Sequence, residues 1–309
     1  MTLAPVLLLA FNRPDLTAQV LAAIQAADRS AERPLFVALD GPRGMADEPG
    51  CAAVHSLIAE ISWTSVTMLA QPRNLGCRAG VQAGIDWFFA QVERGIVLED
   101  DTVPDPSFFP FVDELLERFT DDERVMMISG DDFTSRAFSR PMPGDLDAPS
   151  YWFGRYAHIW GWATWRRAWS LDDPGMSQWP SLRRTGWLRD LGGSQFARYW
   201  RAAFDGVTDG RIDTWDYAWQ YSIWRAGGLV ISPHGNLVTN LGFRADATHT
   251  RDGSAWQAAL PTTPMSFPLH HATTVHEDVE RTAWTEREVF GLTGGRPWRG
   301  LTARLRRGR

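Results

Sequence analysis

The chain has 309 residues, 44% hydrophobic and 22% charged, with a formal net charge of −6. Composition fits a folded soluble protein and length allows one large α/β domain or two small ones, and the acidic balance gives no electrostatic reason to expect nucleic acid as a partner. All 31 basic residues are arginine, and Cys51 and Cys77 fit neither a zinc pattern nor a redox pair, so reduced thiols in a cytoplasmic setting are expected.

The opening "PVLLLAF" is too short to span a membrane and runs straight into the polar "NRPD". It predicts a strand, then a helix over 15–27. Pro14 and Asp15 are start signals there, and Leu16, Val20, Leu21 and Ile24 lie at helical spacing. Further strands are expected in "PLFVALD", "SVTMLA", "GIVLED" and "RVMMISG", separated by helices near 46–61, 78–92 and 106–119. This alternation predicts a Rossmann-like, mostly parallel sheet with flanking helices. Ligands of such sheets bind beyond the carboxyl ends of the strands. Past residue 130 the chain reads as loop through "SRPMPGDLDAPS" and then enters the aromatic block "YWFGRYAHIWGWATWRRAW". The spacing of Trp160, Trp162, Trp165 and Trp169 predicts that part of this block is a helix face in the core. Helices are expected near 178–190, near 194–204 and over "DTWDYAWQYSIWRAG", followed by strands in "GLVISP" and "GNLVTNLGF". Residues 251–309 read as tail and loop, and the basic end "RGLTARLRRGR" could touch an anionic membrane surface.

Polar clusters fall at the expected strand ends: Asn12 and Arg13 after the first, Asp40 after the second, and Glu99, Asp100 and Asp101 after the fourth. Three adjacent carboxylates repel one another unless a positive charge sits among them. A solvated turn is one reading. The other is a hard divalent cation that shares the acids with substrate phosphate oxygens. The loop "RNLGCRAG" opens a helix and lets the chain approach a ligand closely. No Walker loop and no GxGxxG follows a strand, which removes triphosphate hydrolysis and dinucleotide redox chemistry from the leading ideas.

The segments "PVLLLAFNRPDLTAQVLAAI", "VALDGPR", "NLGCRAGVQAGIDWFF" and above all "GIVLEDDTVPDPSFF" resemble nucleotide-sugar glycosyltransferases of the GT-A fold. The nearest pattern is that of N-acetylglucosaminyltransferase I-like enzymes and their bacterial sugar-transferase relatives. The resemblance covers roughly residues 4–250 and is strongest from 73 to 109. It implies a donor half over about 1–130, an aromatic-rich acceptor half over about 131–250 and a C-terminal extension over 251–309. It also implies Mn²⁺ (or Mg²⁺), a nucleotide-sugar donor (UDP favoured), a glycan or glycoconjugate acceptor, and inversion.

Carried over residue by residue, the resemblance makes Asp101 the metal ligand and places Glu99 and Asp100 on the ribose and donor sugar. Asp40 would meet the base edge, with a plain Asp-Gly turn as the alternative. Asn12 and Arg13 would lie beside the base, and Arg78 would pair with Asp40 or phosphate unless it is a surface arginine. The Trp215–Asp216 pair points to Asp216 as the base that deprotonates the acceptor. Asp213 is the reserve, and either acid could instead cap the helix. Trp160 or Trp162, with Trp215, would line the acceptor site, while Trp165 and Trp169 would be core. His249 would complete the metal shell unless it is structural. Two rivals remain: a nucleotidyltransferase, which lacks support because "AFNRPD" has no Gly-rich loop, and a non-catalytic glycan-binding module, which the 16 tryptophans would suit.

Overall fold

The apolar run Val6–Ala10 forms strand β1 and is buried along its whole length. Its side chains alternate between two cores, as a pleated strand requires: Val6 and Leu8 face one, Leu7 and Leu9 the other. The computed structural model that shows this describes residues 2–139, 148–243, 256–258 and 260–292.

Helix α1 (Pro14–Gln25) starts with Pro14 and Asp15, both suited to a helix N-terminus. Its Leu16, Val20, Leu21 and Ile24 are buried at the predicted spacing. Then follow β2 (Leu35–Leu39), α2 (Glu48–Ala59), β3 (Val66–Ala70), α3 (Gly76–Phe89) and β4 (Arg94–Glu99). A short strand β5 (Thr102–Pro104) follows β4 immediately, and α4 (Phe108–Arg118) and β6 (Val125–Ser129) complete this part. The second part contains β7 (Tyr151–Gly154), β8 (Trp162–Trp165), the single turns α5 (Arg166–Trp169) and α6 (Trp179–Leu182), and the long α7 (Trp187–Thr208). Helix α8 (Asp216–Ala226), β9 (Leu229–Pro233), β10 (Val238–Asn240) and α9 (Val279–Glu288) close the described chain.

Eight strands form one sheet in the order β3-β2-β1-β4-β8-β6-β9-β7, and β10 pairs with β5 in a separate ribbon. The pairs β1–β2, β2–β3, β1–β4 and β6–β9 are parallel; only β7 and β8 run against the rest. The expected α/β fold with a mostly parallel, helix-flanked sheet is therefore the one observed. The sheet runs unbroken through both parts of the chain. Residues from α1, α2 and α4 (Val20, Ile24, Val54, Leu115) cover one face. Residues from α3, α7 and α8 (Phe88, Trp200, Trp219) cover the other. No described helix is long and apolar enough to cross a membrane.

Two expectations need correction. Trp162–Trp165 is a strand, not part of a helix, with Trp162 in one core and Ala163 and Trp165 in the other. The tryptophan spacing mixed a two-residue with a helical period because the block straddles β8 and α5. Gly161, at φ +61°, makes the turn into β8, and a Cβ there would come 2.8 Å from Val238 Cγ2. Residues 187–208 form two helical segments that meet at a kink at Gly193 (φ +88°, ψ −172°), between the two helices expected near 178–190 and 194–204. The expected tail contains α9, whose N-cap Asp278 accepts hydrogen bonds from the backbone N–H of Glu280 and Arg281 at 3.1 and 3.0 Å.

Candidate active site

The carboxyl ends of β1, β2 and β4 open into a cavity of about 300 Å³, bounded on its far side by the start of α3. Leu9, Ala38, Leu69 and Val81 give it an apolar wall, and Arg13, Asp40, Glu99, Asp100 and Asp213 supply its charged groups.

Glu99 ends β4, and Asp100 and Asp101 form the tight turn into β5. The Thr102 hydroxyl pins that turn: it accepts from the Glu99 N–H at 2.9 Å and donates to the Glu99 carbonyl at 3.0 Å. From the other side, the Leu241 N–H donates to the Asp101 carbonyl at 2.8 Å, continuing the β5–β10 ribbon. Gly242 leaves space for the Asp101 carboxylate; any Cβ at 242 would overlap it.

Arg13, from the β1–α1 turn, supplies the positive charge that this cluster demands. Its guanidinium pairs with Asp100 Oδ1, lies 3.3 Å (Nε) from Asp100 Oδ2, and reaches Asp101 Oδ2 at 2.8 Å. Burial works against the charge on Arg13, but the two aspartates outweigh it and keep the group firmly protonated. Burial, with Asp101 and Asp100 alongside, pushes Glu99 up to about 8. Asp100 is raised by burial to about 6 in spite of Arg13. Removing the guanidinium leaves two carboxylates facing each other in a partly buried turn. Arg13→Gln is expected to lower stability by about 2 kcal/mol and to enlarge the stabilisation given by added Mn²⁺, measured by urea unfolding with and without the ion. Equal stabilities for variant and wild type would show that the pair contributes nothing.

Asp40 lines the cavity and also holds the loop before α3. Its Oδ1 accepts from the N–H groups of Gly41 and Leu75, each at 2.9 Å, and its Oδ2 accepts from Asn74 Nδ2 at 2.9 Å. One lone pair on Oδ2 remains for a ligand N–H. Asn12 does not line the cavity. It donates to Asp47 Oδ1 at 2.8 Å, and Asp47 in turn holds Arg43 through contacts of 2.7 and 2.9 Å. Arg43 then lies 5.0 Å over the Phe11 ring, and both Arg43 and Phe11 border the cavity. Arg78 does not pair with Asp40: it donates to the carbonyls of Pro174 and of Val207, the latter at 3.1 Å. Asp40 takes its three donors from Gly41, Asn74 and Leu75, so the expected Arg78 pairing is not formed.

On the acceptor side, Asp213 borders the cavity beside Gly76, whose φ of +85° starts α3. Asp216 is the first residue of α8 and accepts a hydrogen bond from the Thr214 hydroxyl. It is not the helix cap, since the cap position is Trp215. Asp216 is not among the residues that line the cavity, though its charge acts on Glu99 and Cys77. Trp162 and Trp215 stack on each other, with centroids 5.6 Å apart and planes at 22°, and both are buried. Neither offers a face to a sugar, so their expected acceptor role is corrected to core packing. Trp160 stays partly exposed, edge-on to Phe133 and Phe243. His249 lies outside the described residues.

Sequence reasoning missed Phe11, Arg43, Gln71 and Asn74 as cavity residues. It also missed Asp131, which sits just past β6, fully buried, with Oδ1 taking the Ser129 hydroxyl at 2.5 Å and Oδ2 without a partner.

Among the described residues no three His, Cys, Asp or Glu side chains converge to hold a metal. The donor set still suits a cation that takes one or two carboxylates and completes its shell with water and phosphate oxygens. Asp100 and Asp101 are hard oxygen donors, and Arg13 already stands between them as a positive charge.

No family model matches the chain, and no curated protein matches it. Among solved structures it is similar to the mannosyltransferase PcManGT from Pyrobaculum calidifontis, in complex with GDP-Man and Mn²⁺. That match has 14% identity and a TM-score of 0.37, over 53% of this chain and 45% of that one. It is also similar to the galactosyltransferase LgtC, in complex with donor and acceptor sugar analogs, at 15% identity and a TM-score of 0.36, over 58% of this chain and 64% of that one. The chain thus spans less than two thirds of either structure.

Proposed function

We propose that this chain is a GT-A-type glycosyltransferase, related in plan to the N-acetylglucosaminyltransferase I-like enzymes. It moves a hexosyl or N-acetylhexosaminyl group from a nucleoside diphosphate, UDP favoured, to a hydroxyl of a glycan or glycoconjugate. Bacterial glycan assembly is the setting that suits it. One observation carries the reading: an apolar-walled cavity at the carboxyl edge of parallel strands meets the Arg13–Asp100–Asp101 cluster and Asp213, with Asp216 three residues on at the start of α8.

In this reading Phe11 and the Arg43 guanidinium flank the base, and the free lone pair of Asp40 takes a base N–H. Asp100 accepts from ribose hydroxyls, and Glu99 holds the donor sugar. Arg13 turns from the aspartates to the diphosphate charge. Asp101 and Asp100 would hold the divalent cation, which when bound supplies charge neutralisation for the leaving diphosphate. Asp216 accepts the proton of the acceptor hydroxyl as its oxygen attacks the anomeric carbon from the face opposite the leaving group. The outcome is inversion in a single displacement. Trp160 borders the acceptor.

The test is a donor panel of UDP-, GDP-, CDP- and dTDP-sugars incubated with Mn²⁺ or with EDTA. Release of one nucleoside diphosphate in the Mn²⁺ arm alone is the expected result. Turnover of none of them sinks the proposal.

A further inference from the structure

Residues 183–201 hold five arginines, Arg183, Arg184, Arg189, Arg198 and Arg201, and a single acid, Asp190, in a chain whose net charge is −6. The fold gathers them. The break at Gly193 bends α7 so that Arg189, before it, and Arg201, after it, line one cavity of about 450 Å³ together with Arg183 and Arg184. A second cavity of about 250 Å³ shares Arg189 and Arg201 and adds Arg198, so the two form one basic trough along the helix. Arg183 is committed to Asp205 through contacts of 2.7 and 2.8 Å, and Trp179 Nε1 also donates to that carboxylate at 3.0 Å. Arg184, Arg189, Arg198 and Arg201 are exposed. Among the described residues, none of these four guanidinium groups makes a hydrogen bond or ion pair.

Like charges crowded into one concavity cost stability, so their arrangement calls for an anion. Guanidinium forks match phosphate oxygens in pairs. Asp205 is already neutralised, and Asp190, near Gly186, is the remaining carboxylate at the rim. The trough is lined by residues between Leu182 and Asp205, none of which lines the cleft at the strand ends. The two sites are therefore distinct.

We propose that this arginine trough binds a phosphate-bearing anion. Four exposed guanidinium groups along one open trough favour the closely spaced head groups of an anionic phospholipid surface over a single free phosphate.

Two measurements in EDTA decide it: calorimetry with inorganic pyrophosphate, and flotation with phosphatidylglycerol vesicles against phosphatidylcholine vesicles. They are run on wild type and on the triple variant Arg184→Gln/Arg189→Gln/Arg201→Gln. The control is Arg29→Gln/Arg124→Gln/Arg211→Gln, three exposed arginines elsewhere that remove the same charge. All of these side chains are on the surface, and circular dichroism melts verify the fold. The expected result is binding to phosphatidylglycerol vesicles, weakened at least tenfold in the trough variant and kept in the control. Trough-dependent binding of pyrophosphate without vesicle binding keeps the site and makes its ligand a soluble phosphate. Binding equal in the trough variant and control, or none to either probe, overturns the proposal. Pyrophosphate bound in the catalytic cleft is recognised because it survives the trough variant.

Discussion

Asp216→Asn is expected to lower the turnover of sugar transfer by about 10²- to 10⁴-fold while leaving nucleotide affinity within a few-fold of wild type. Asp216 begins α8 and is oriented by Thr214. It shares the electrostatic surroundings of Glu99 without contributing to the Arg13 cluster. An amide of the same shape keeps the helix start and the Thr214 contact but cannot take a proton. A base that acts only during attack affects kcat and not donor binding. Asp213→Asn is the discriminating companion, because Asp213 and not Asp216 borders the cavity. A fall in kcat with Asp213→Asn and near-normal kcat with Asp216→Asn would move the proton acceptor to Asp213.

Asp131→Asn is expected to remove a pH dependence of stability. Burial raises the Asp131 carboxyl to about 7, against partial relief from the Ser129 hydroxyl. The charged groups facing it are few: Asp132 adds a like charge, and burial holds the nearby His158 down at about 4. The native state therefore binds the Asp131 proton more tightly than the unfolded chain. Its stabilisation is complete below the unfolded value near 4 and is lost as pH rises through about 7. His158 acts in the opposite sense: its neutral ring is lost to protonation in the unfolded chain first, so stability falls as pH drops from about 6.5 to about 4. The difference between wild type and variant isolates Asp131. Between pH 4.5 and 8 the variant should gain on the order of 3 kcal/mol relative to wild type. Parallel stability profiles from urea unfolding at the two pH values would show that this carboxyl is ionised throughout.

The first half of the fold was legible because β1 to β4 and their helices keep one period each, and the strand-end acids fall where that alternation predicts. The aromatic block was not, because eight residues contain both a strand and a helical turn and large rings suit either. Helix α9 has few apolar positions; its one signal is the capping Asp278. The site was legible in kind more than in contact. That a positive charge must sit among Glu99, Asp100 and Asp101 follows from Coulomb repulsion. That Arg13 is this charge does not, because no spacing rule links positions 87 residues apart. The same holds for Asn74 on Asp40, and for Arg78, whose partners are backbone carbonyls that a sequence does not advertise. The tryptophan count misleads in the other direction. Trp162, Trp165, Trp200, Trp215, Trp219 and Trp224 are buried and fill the core, which takes from the glycan-binding module its main support.

The most direct measurement is calorimetric titration of UDP, GDP and CDP, each with Mn²⁺ and with EDTA, into wild type and Asp101→Ala. The account predicts that one nucleotide binds, that binding requires the cation, and that Asp101→Ala weakens it at least tenfold. Binding of no nucleotide, or binding indifferent to both cation and Asp101, would contradict it and leave the three acids as a turn neutralised by Arg13.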